Sequence, residues 1–235
     1  MTPAPVRTVL IWCPDWPVIA AGILEEAPVR APVAVIHANR VVACSPAARA
    51  EGVRPGLRRR EAQSRCPWLR VFPHDPGRDA RAFEAVVVAV EQVVAGVEVV
   101  RPGELAFPAR GAARYFGGEE RTAEQVVERI AQECGVEAQA GVADGVFAAG
   151  LAARSGRIVP PGRTPEFLAG IDVRALGRPE LTDRLRRLGI RTLGDFAALP
   201  GGDVLARFGF DAALAHRLAG GADHRPLAVR RPPPD

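Results

Sequence analysis

The sequence predicts an α/β sheet domain, interrupted by a small α+β insertion and followed by an all-helical domain. A buried strand at residues 6–12 precedes strands that alternate with long helices, the pattern of a mixed sheet covered by helices. Two β-rich runs joined by Ala38-Asn39 place a hairpin inside residues 17–74. Beyond Pro160-Pro161-Gly162 only short-looped helical patterns remain.

Each element has a local cause. Val9-Leu10-Ile11 is an uninterrupted apolar run, hence a buried strand. Pro17 to Leu24 reads as a helix with proline in its first turn. Val33–His37 and Arg40–Cys44 are the hairpin strands. Pro46–Ala50 is a short helix stopped by Gly52, Arg58–Cys66 a second, and Leu69–Phe72 a strand ended by Pro73. From Arg78 to Val94, Phe83, Val86, Val87, Val90 and Val94 recur at a spacing that buries one helix face. Strands follow at Val97–Val100 and Leu105–Phe107, a helix at Thr122–Cys134, a strand at Val136–Val142 and a small-residue helix at Gly145–Arg154. In the last domain Arg184 to Pro200 reads as helix, tight turn, helix. Gly189 ends the first helix and Thr192 caps the second, with Asp195 in the capping-box position. The tail Arg230–Asp235, rich in proline, reads as an extended linker of the kind that joins a following domain.

Composition narrows the function classes. With 48% hydrophobic and 25% charged residues over 235 positions, the chain is an ordinary globular protein with room for two or three cores. No apolar run is long enough to span a bilayer, and Met1-Thr2-Pro3-Ala4-Pro5 lacks a signal-peptide pattern. Cys13, Cys44, Cys66 and Cys134 form no Cys-x-x-Cys pair, which fits reduced structural thiols in a cytoplasmic protein better than zinc. No Walker or dinucleotide loop is present, and His37, His74, His216 and His224 have no metal-like spacing. Net charge is +4, the right sign for a nucleic-acid partner. All 31 basic residues are arginine, which a GC-rich coding sequence explains and bidentate phosphate gripping would exploit. Arg58-Arg59-Arg60 reads first as a solvated helix face and second as a phosphate attractor.

Two places carry chemistry. Strand one ends in Trp12-Cys13-Pro14, and the later strand pair around Val99–Phe107 holds one acid, Glu104. Two-metal phosphoryl transfer needs several carboxylates converging on Mg²⁺, so this pattern predicts a core without that reaction. At the Gly189 turn, backbone N–H groups and the next helix N-terminus are expected to point at a phosphate, with Arg184, Arg187 and Arg191 adding charge. The alternative is an αα-hairpin that serves packing alone.

Together these segments resemble the Y-family of translesion DNA polymerases from residue 8 to about 228. The resemblance is carried by Pro32–Val35 and Arg40–Cys44, Ala48-Arg49-x-x-Gly52-Val53-Arg54-Pro55-Gly56, Ala62-x-x-x-Cys66-Pro67, Gly141–Asp144, Leu188–Ala197 and Gly220–Asp223. It implies an α/β palm (1–16 and 75–160), inserted α+β fingers (17–74), an all-α helix-hairpin-helix thumb (161–228) and a linker (229–235), a polymerase-like core without a little finger. The family's metal-binding aspartates fall on Trp12, Pro14 and Gly103, leaving Glu104 as a remnant acid. Its triphosphate-contacting arginine is kept as Arg49. Its late-palm Asn-Lys falls on Gly145-Val146, and a second lysine near Gly150. The first thumb hairpin appears as Leu176-Gly177-Arg178, so Gly177 and Arg178 join the expected DNA-binding set of Arg184, Arg187, Gly189, Arg191 and Thr192.

The resemblance implies a catalytically inactive adaptor in translesion synthesis and SOS mutagenesis, with no metal cofactor. Its implied partners are DNA, the sliding clamp, a RecA-like accessory subunit and an error-prone C-family polymerase. Two alternatives stand beside it: an active translesion polymerase holding Mg²⁺ on Asp15 and Glu104, and a helix-hairpin-helix DNA-binding protein of other descent.

Overall fold

The computed structural model describes residues 4–24 and 31–230. Met1–Pro3, six residues of the expected fingers (25–30) and the linker beyond Arg230 lie outside them. The main sheet has the order β5-β6-β1-β7, from β1 (Arg7–Trp12), β5 (Glu98–Arg101), β6 (Glu104–Pro108) and β7 (Gln139–Asp144). It is wholly antiparallel rather than mixed. β1 lies inside it because Val9, Leu10 and Ile11 are apolar toward both faces and fully buried. Register then decides what the sheet presents at its end. Trp12 stands opposite Glu104 on β6 and opposite Gln139 on β7.

One face is covered by α1 (Trp16–Leu24), α4 (Pro76–Glu91) and α6 (Glu119–Cys134), packed through Trp16, Phe83, Val86, Val126 and Ile130 against Val9 and Ile11. The other face takes α7 (Val146–Ala153). A Cβ at Gly141 on β7 would stand 2.0 Å from the Ala153 nitrogen, so only glycine allows this approach. The helical domain shares the core on this face: α8 (Thr164–Ala169), a 3₁₀ turn (Val173–Leu176), α9 (Pro179–Arg187), α10 (Leu193–Ala197), α11 (Gly201–Phe208) and α12 (Phe210–Ala219). Leu10, Ala106 and Ala143 of the sheet meet Leu168, Leu185 and Phe196 there.

The insertion has its own sheet, β3-β2-β4, from β2 (Val33–His37), β3 (Arg40–Cys44) and β4 (Arg70–Pro73), with β2 parallel to β4. Ala38 and Asn39 take φ of 45° and 61°, the left-handed pair that a two-residue hairpin requires. α2 (Pro46–Ala50) and α3 (Arg59–Arg65) close a small core of Ala34, Val41, Cys44, Ala48, Ala62, Cys66 and Leu69.

Sequence and structure differ at a few places. α4 begins at Pro76 because the Asp75 carboxylate accepts the Arg78 N–H at 2.9 Å, a cap the apolar spacing does not reveal. α5 (Ala109–Phe116) escaped sequence reading because its inner face is mostly alanine. β7 starts three residues later than the expected Val136. α1 packs Trp16 and Ala20 with the main sheet, so the expected boundary at 17 does not follow the cores.

Ser45 ties the insertion together: its Oγ accepts the Val33 and Ala48 N–H groups (3.0 and 3.2 Å) and donates to the Ala31 carbonyl at 3.1 Å. Ser45→Ala therefore leaves buried donors unpaired. It should lower unfolding free energy by about 2 kcal/mol in urea melts.

Candidate functional site

Where β1, α1 and the β5–β6 hairpin meet lies a cleft of about 450 Å³, lined by Trp12, Cys13, Asp15, Trp16, Arg101 and Glu104 among others. Its floor is fixed by the two-residue turn Pro102-Gly103, with proline ahead of a glycine at φ +90°. The Gly103 carbonyl accepts the Cys13 N–H at 2.8 Å, which locks the end of β1 to the turn. A Cβ at Gly103 would stand 2.6 Å from Trp16 Cβ and 3.1 Å from its Cγ. An aspartate at this position is strained twice, by conformation and by space.

Glu104, 8% exposed, is held by two guanidinium groups on one oxygen: Arg101 Nη2 at 2.5 Å and Arg154 Nη2 at 2.6 Å from Oε1. The first contact raises the Arg101 pKa above its ordinary value. Arg154 also lies 5.2 Å over the Trp12 ring and donates to the Gly150 carbonyl, so one cation links β6, β1 and α7.

The second acid is also engaged. Asp15, at φ 53°, pairs with Arg49, whose guanidinium also reaches the Cys44 carbonyl at 3.2 Å. The Asp15 hydrogen bond holds the Arg49 pKa above its usual value. Burial pushes the Cys13 thiol up to about 12, with Cys134 adding to it, so it stays protonated at neutral pH. Divalent ions do not fit this donor set: Trp12, Pro14 and Gly103 offer no side-chain oxygen, and Glu104 and Asp15 are neutralised by arginine. Among the described residues, no three His, Cys, Asp or Glu side chains form a metal-sized cluster. At the start of α7, Gly145 and Val146 bring no cation. Asp223 instead accepts the Phe147 N–H at 2.9 Å and packs 2.7 Å from where a Gly145 Cβ would stand.

The helical domain corrects one expectation. At the Gly189 turn (φ +82°), the N–H groups of Leu188, Gly189 and Ile190 bond back to α9, and that of Leu193 to the Ile171 carbonyl. The Arg191 and Thr192 N–H groups go to Asp195 at 3.2 and 3.0 Å, and the Asp195 N–H to the Thr192 hydroxyl. The capping box thus takes the Arg191, Thr192 and Asp195 N–H groups and sets a carboxylate among the donors expected to meet a phosphate. What remains for an anion is side-chain charge: Arg184, Arg187 and Arg191 are exposed and pair with no described residue, whereas Arg178 is bound to Asp211. Past Gly177 (φ +66°), the Arg178, Glu180 and Leu181 N–H groups at the start of α9 stay unbonded among the described residues.

Comparison with known proteins fits this geometry. Residues 23–154 match the impB/mucB/samB family. The chain belongs to that family. It is 33% identical over 185 residues to protein ImuB of Caulobacter vibrioides, a match over 77% of this chain and 40% of that protein. It is 31% identical over 199 residues to DNA polymerase IV of Halorhodospira halophila, covering 81% of this chain and 56% of the relative. The chain therefore spans about half or less of these relatives. The solved DinB structure from Sulfolobus solfataricus superposes at TM-score 0.76 and 18% identity, over 94% of this chain and 69% of that one. An insertion ternary complex of Dbh DNA polymerase gives the same TM-score at 17% identity. The fold is that of the Y-family polymerase core. No helix among the described residues is long and apolar enough to cross a membrane.

Arg101 and Arg154 were not singled out by sequence reading, and no local signal marks Arg154: it lies 50 residues from Glu104 and is one of 31 arginines. Two outcomes follow. Gly103→Asp should destabilise the fold by about 1–3 kcal/mol, with Gly103→Ala doing the same, and calorimetry on the aspartate variant should detect no gain in Mg²⁺ affinity. The Thr192 and Arg191 N–H groups hold the Asp195 carboxyl below its ordinary range. Its folded pKa is depressed, so this stabilisation is present above about pH 4 and fades as pH falls through the folded value. Thermal melts from pH 6 to pH 2 should show Asp195→Asn weakening that acid dependence.

Proposed function

We propose that this chain is a non-catalytic, polymerase-like DNA-binding adaptor in translesion synthesis and SOS mutagenesis. The carrying observation is the charge state of its cleft: the one acid kept from the metal cluster is neutralised by Arg101 and Arg154. Divalent ions supply both nucleophile activation and charge stabilisation in two-metal transfer, and a guanidinium supplies only the charge. It has no exchangeable coordination position for a 3′ oxygen or a triphosphate oxygen. The glycine-only turn at 103 bars a simple return of the missing aspartate.

DNA contact in this reading comes from the thumb, through the free side chains Arg184, Arg187 and Arg191 acting on phosphates, with the unbonded N–H groups past the Gly177 turn. The resemblance adds an error-prone C-family polymerase as the enzyme recruited, with the sliding clamp and a RecA-like subunit as further partners. A cytoplasmic location follows from the same reading.

Primer extension with Mg²⁺ or Mn²⁺ and all four dNTPs should give no product. Template-dependent incorporation that Glu104→Ala removes would favour an active polymerase with a divergent metal site instead. Duplex binding should persist in EDTA. Replacing Arg184, Arg187 and Arg191 together by alanine should reduce the slope of log K against log salt by about 2.7.

A further inference from the structure

The charge of this molecule is not where the thumb reading alone would put it. Residues 31–74 hold eight arginines and two acids, a surplus of six positive charges against four for the whole chain. Residues 161–228 hold ten arginines and eight acids, so the helical domain is close to balanced. Within the insertion, Arg58, Arg59 and Arg60 are exposed and make no side-chain hydrogen bond or ion pair with any described residue. Glu61, one of the two acids, is taken by Arg65 at 2.9 Å.

The same insertion displays an aromatic ring. Trp68 is 62% exposed, in the turn between α3 and β4. Its exposure is imposed by its neighbours. Cys66 and Leu69 are buried in the small core, and the Leu69 N–H bonds to the Cys66 carbonyl at 3.0 Å, so the turn is anchored on both sides of the indole. A single exposed apolar side chain is ordinary. An exposed tryptophan on an anchored turn, in the same small insertion as unpaired arginines, is the combination used for nucleic acid, where cations track the backbone and an aromatic face stacks a base of any sequence.

The spacing fits. Arg58 bridges Arg40 at the β3 edge, and Trp68 leads into β4 at the other edge, so α3, which begins with Arg59 and Arg60, runs from one to the other. Its seven residues span about 10 Å. That is the length of about three stacked nucleotides at about 3.4 Å each.

We propose that this outer face of the fingers, from Arg58-Arg59-Arg60 along α3 to Trp68, binds single-stranded DNA without sequence preference. The arginines meet successive phosphates and the Trp68 indole stacks one base. The choice of DNA over other polyanions rests on the function proposed above; the site itself does not depend on the thumb.

The test is fluorescence anisotropy of the 235-residue protein with labelled dT15 and with a 15-base-pair duplex, in EDTA and across a salt series. Trp68→Ala should weaken dT15 binding at least about fivefold, and Trp68→Phe should restore most of it. Replacing Arg58, Arg59 and Arg60 by glutamine should lower the salt slope for dT15 by about 2 while leaving duplex binding within about twofold. In the unaltered protein, dT15 should protect the exposed tryptophan from acrylamide quenching, a readout that needs no variant. Wild-type affinity and slope in both sets of variants, or no protection from quenching, would overturn the proposal, as would U15 displacing dT15 at lower concentration than dT15 itself. Loss of duplex binding alone, with dT15 binding intact, would count against the thumb reading and leave this one standing.

Discussion

The contact between Arg154, Arg101 and Glu104 is the constraint on which the rest of this site depends. A carboxylate 8% exposed at the end of a central sheet needs a counter-charge, because desolvating it alone is costly. In a metal-dependent polymerase that counter-charge is a divalent ion shared among several oxygens. Here two guanidinium groups on one oxygen supply it, and the ring of Trp12 supports one of them from below. The substitution leaves the sheet intact because β1, β6 and β7 are held by backbone pairing and by apolar residues on both faces. That pairing runs through backbone groups, to which Trp12 contributes at the end of β1.

Small residues make the exchange possible. Gly141 lets α7 approach β7, and Gly103 turns the hairpin against Trp16. Asp223 then closes the N-terminus of α7, where the polymerase pattern would place a phosphate-binding lysine. The helical domain and the sheet thus share one core through α7.

Much of the architecture was legible in the sequence. The apolar run of β1, the hairpin at Ala38-Asn39, the capping box at Thr192 and the glycine-proline punctuation each have one local physical cause, and each appears where that cause lies. Helix α5 was not singled out, although Ala109, Ala112, Ala113 and Phe116 recur at helical spacing, because three of the four are alanines of little hydrophobic weight. The single acid Glu104 near Trp12 was legible as well, as a fact of residue identity. Its arginine partners were not. Arg154 meets Glu104 only through the packing of α7 on the sheet, a long-range arrangement that no spacing encodes. The Gly189 turn teaches the converse: its capping box was read correctly from the sequence, yet that same box uses up the N–H groups assigned to phosphate.

The most direct measurement is a crystal of the protein grown with Mn²⁺ and a non-hydrolysable nucleotide, with anomalous maps computed at the cleft. Guanidinium neutralisation predicts Arg101 and Arg154 within hydrogen-bonding distance of Glu104 and no manganese peak beside it. A pair of manganese peaks on Glu104 and Asp15, with Arg154 displaced from the Trp12 ring, would contradict it.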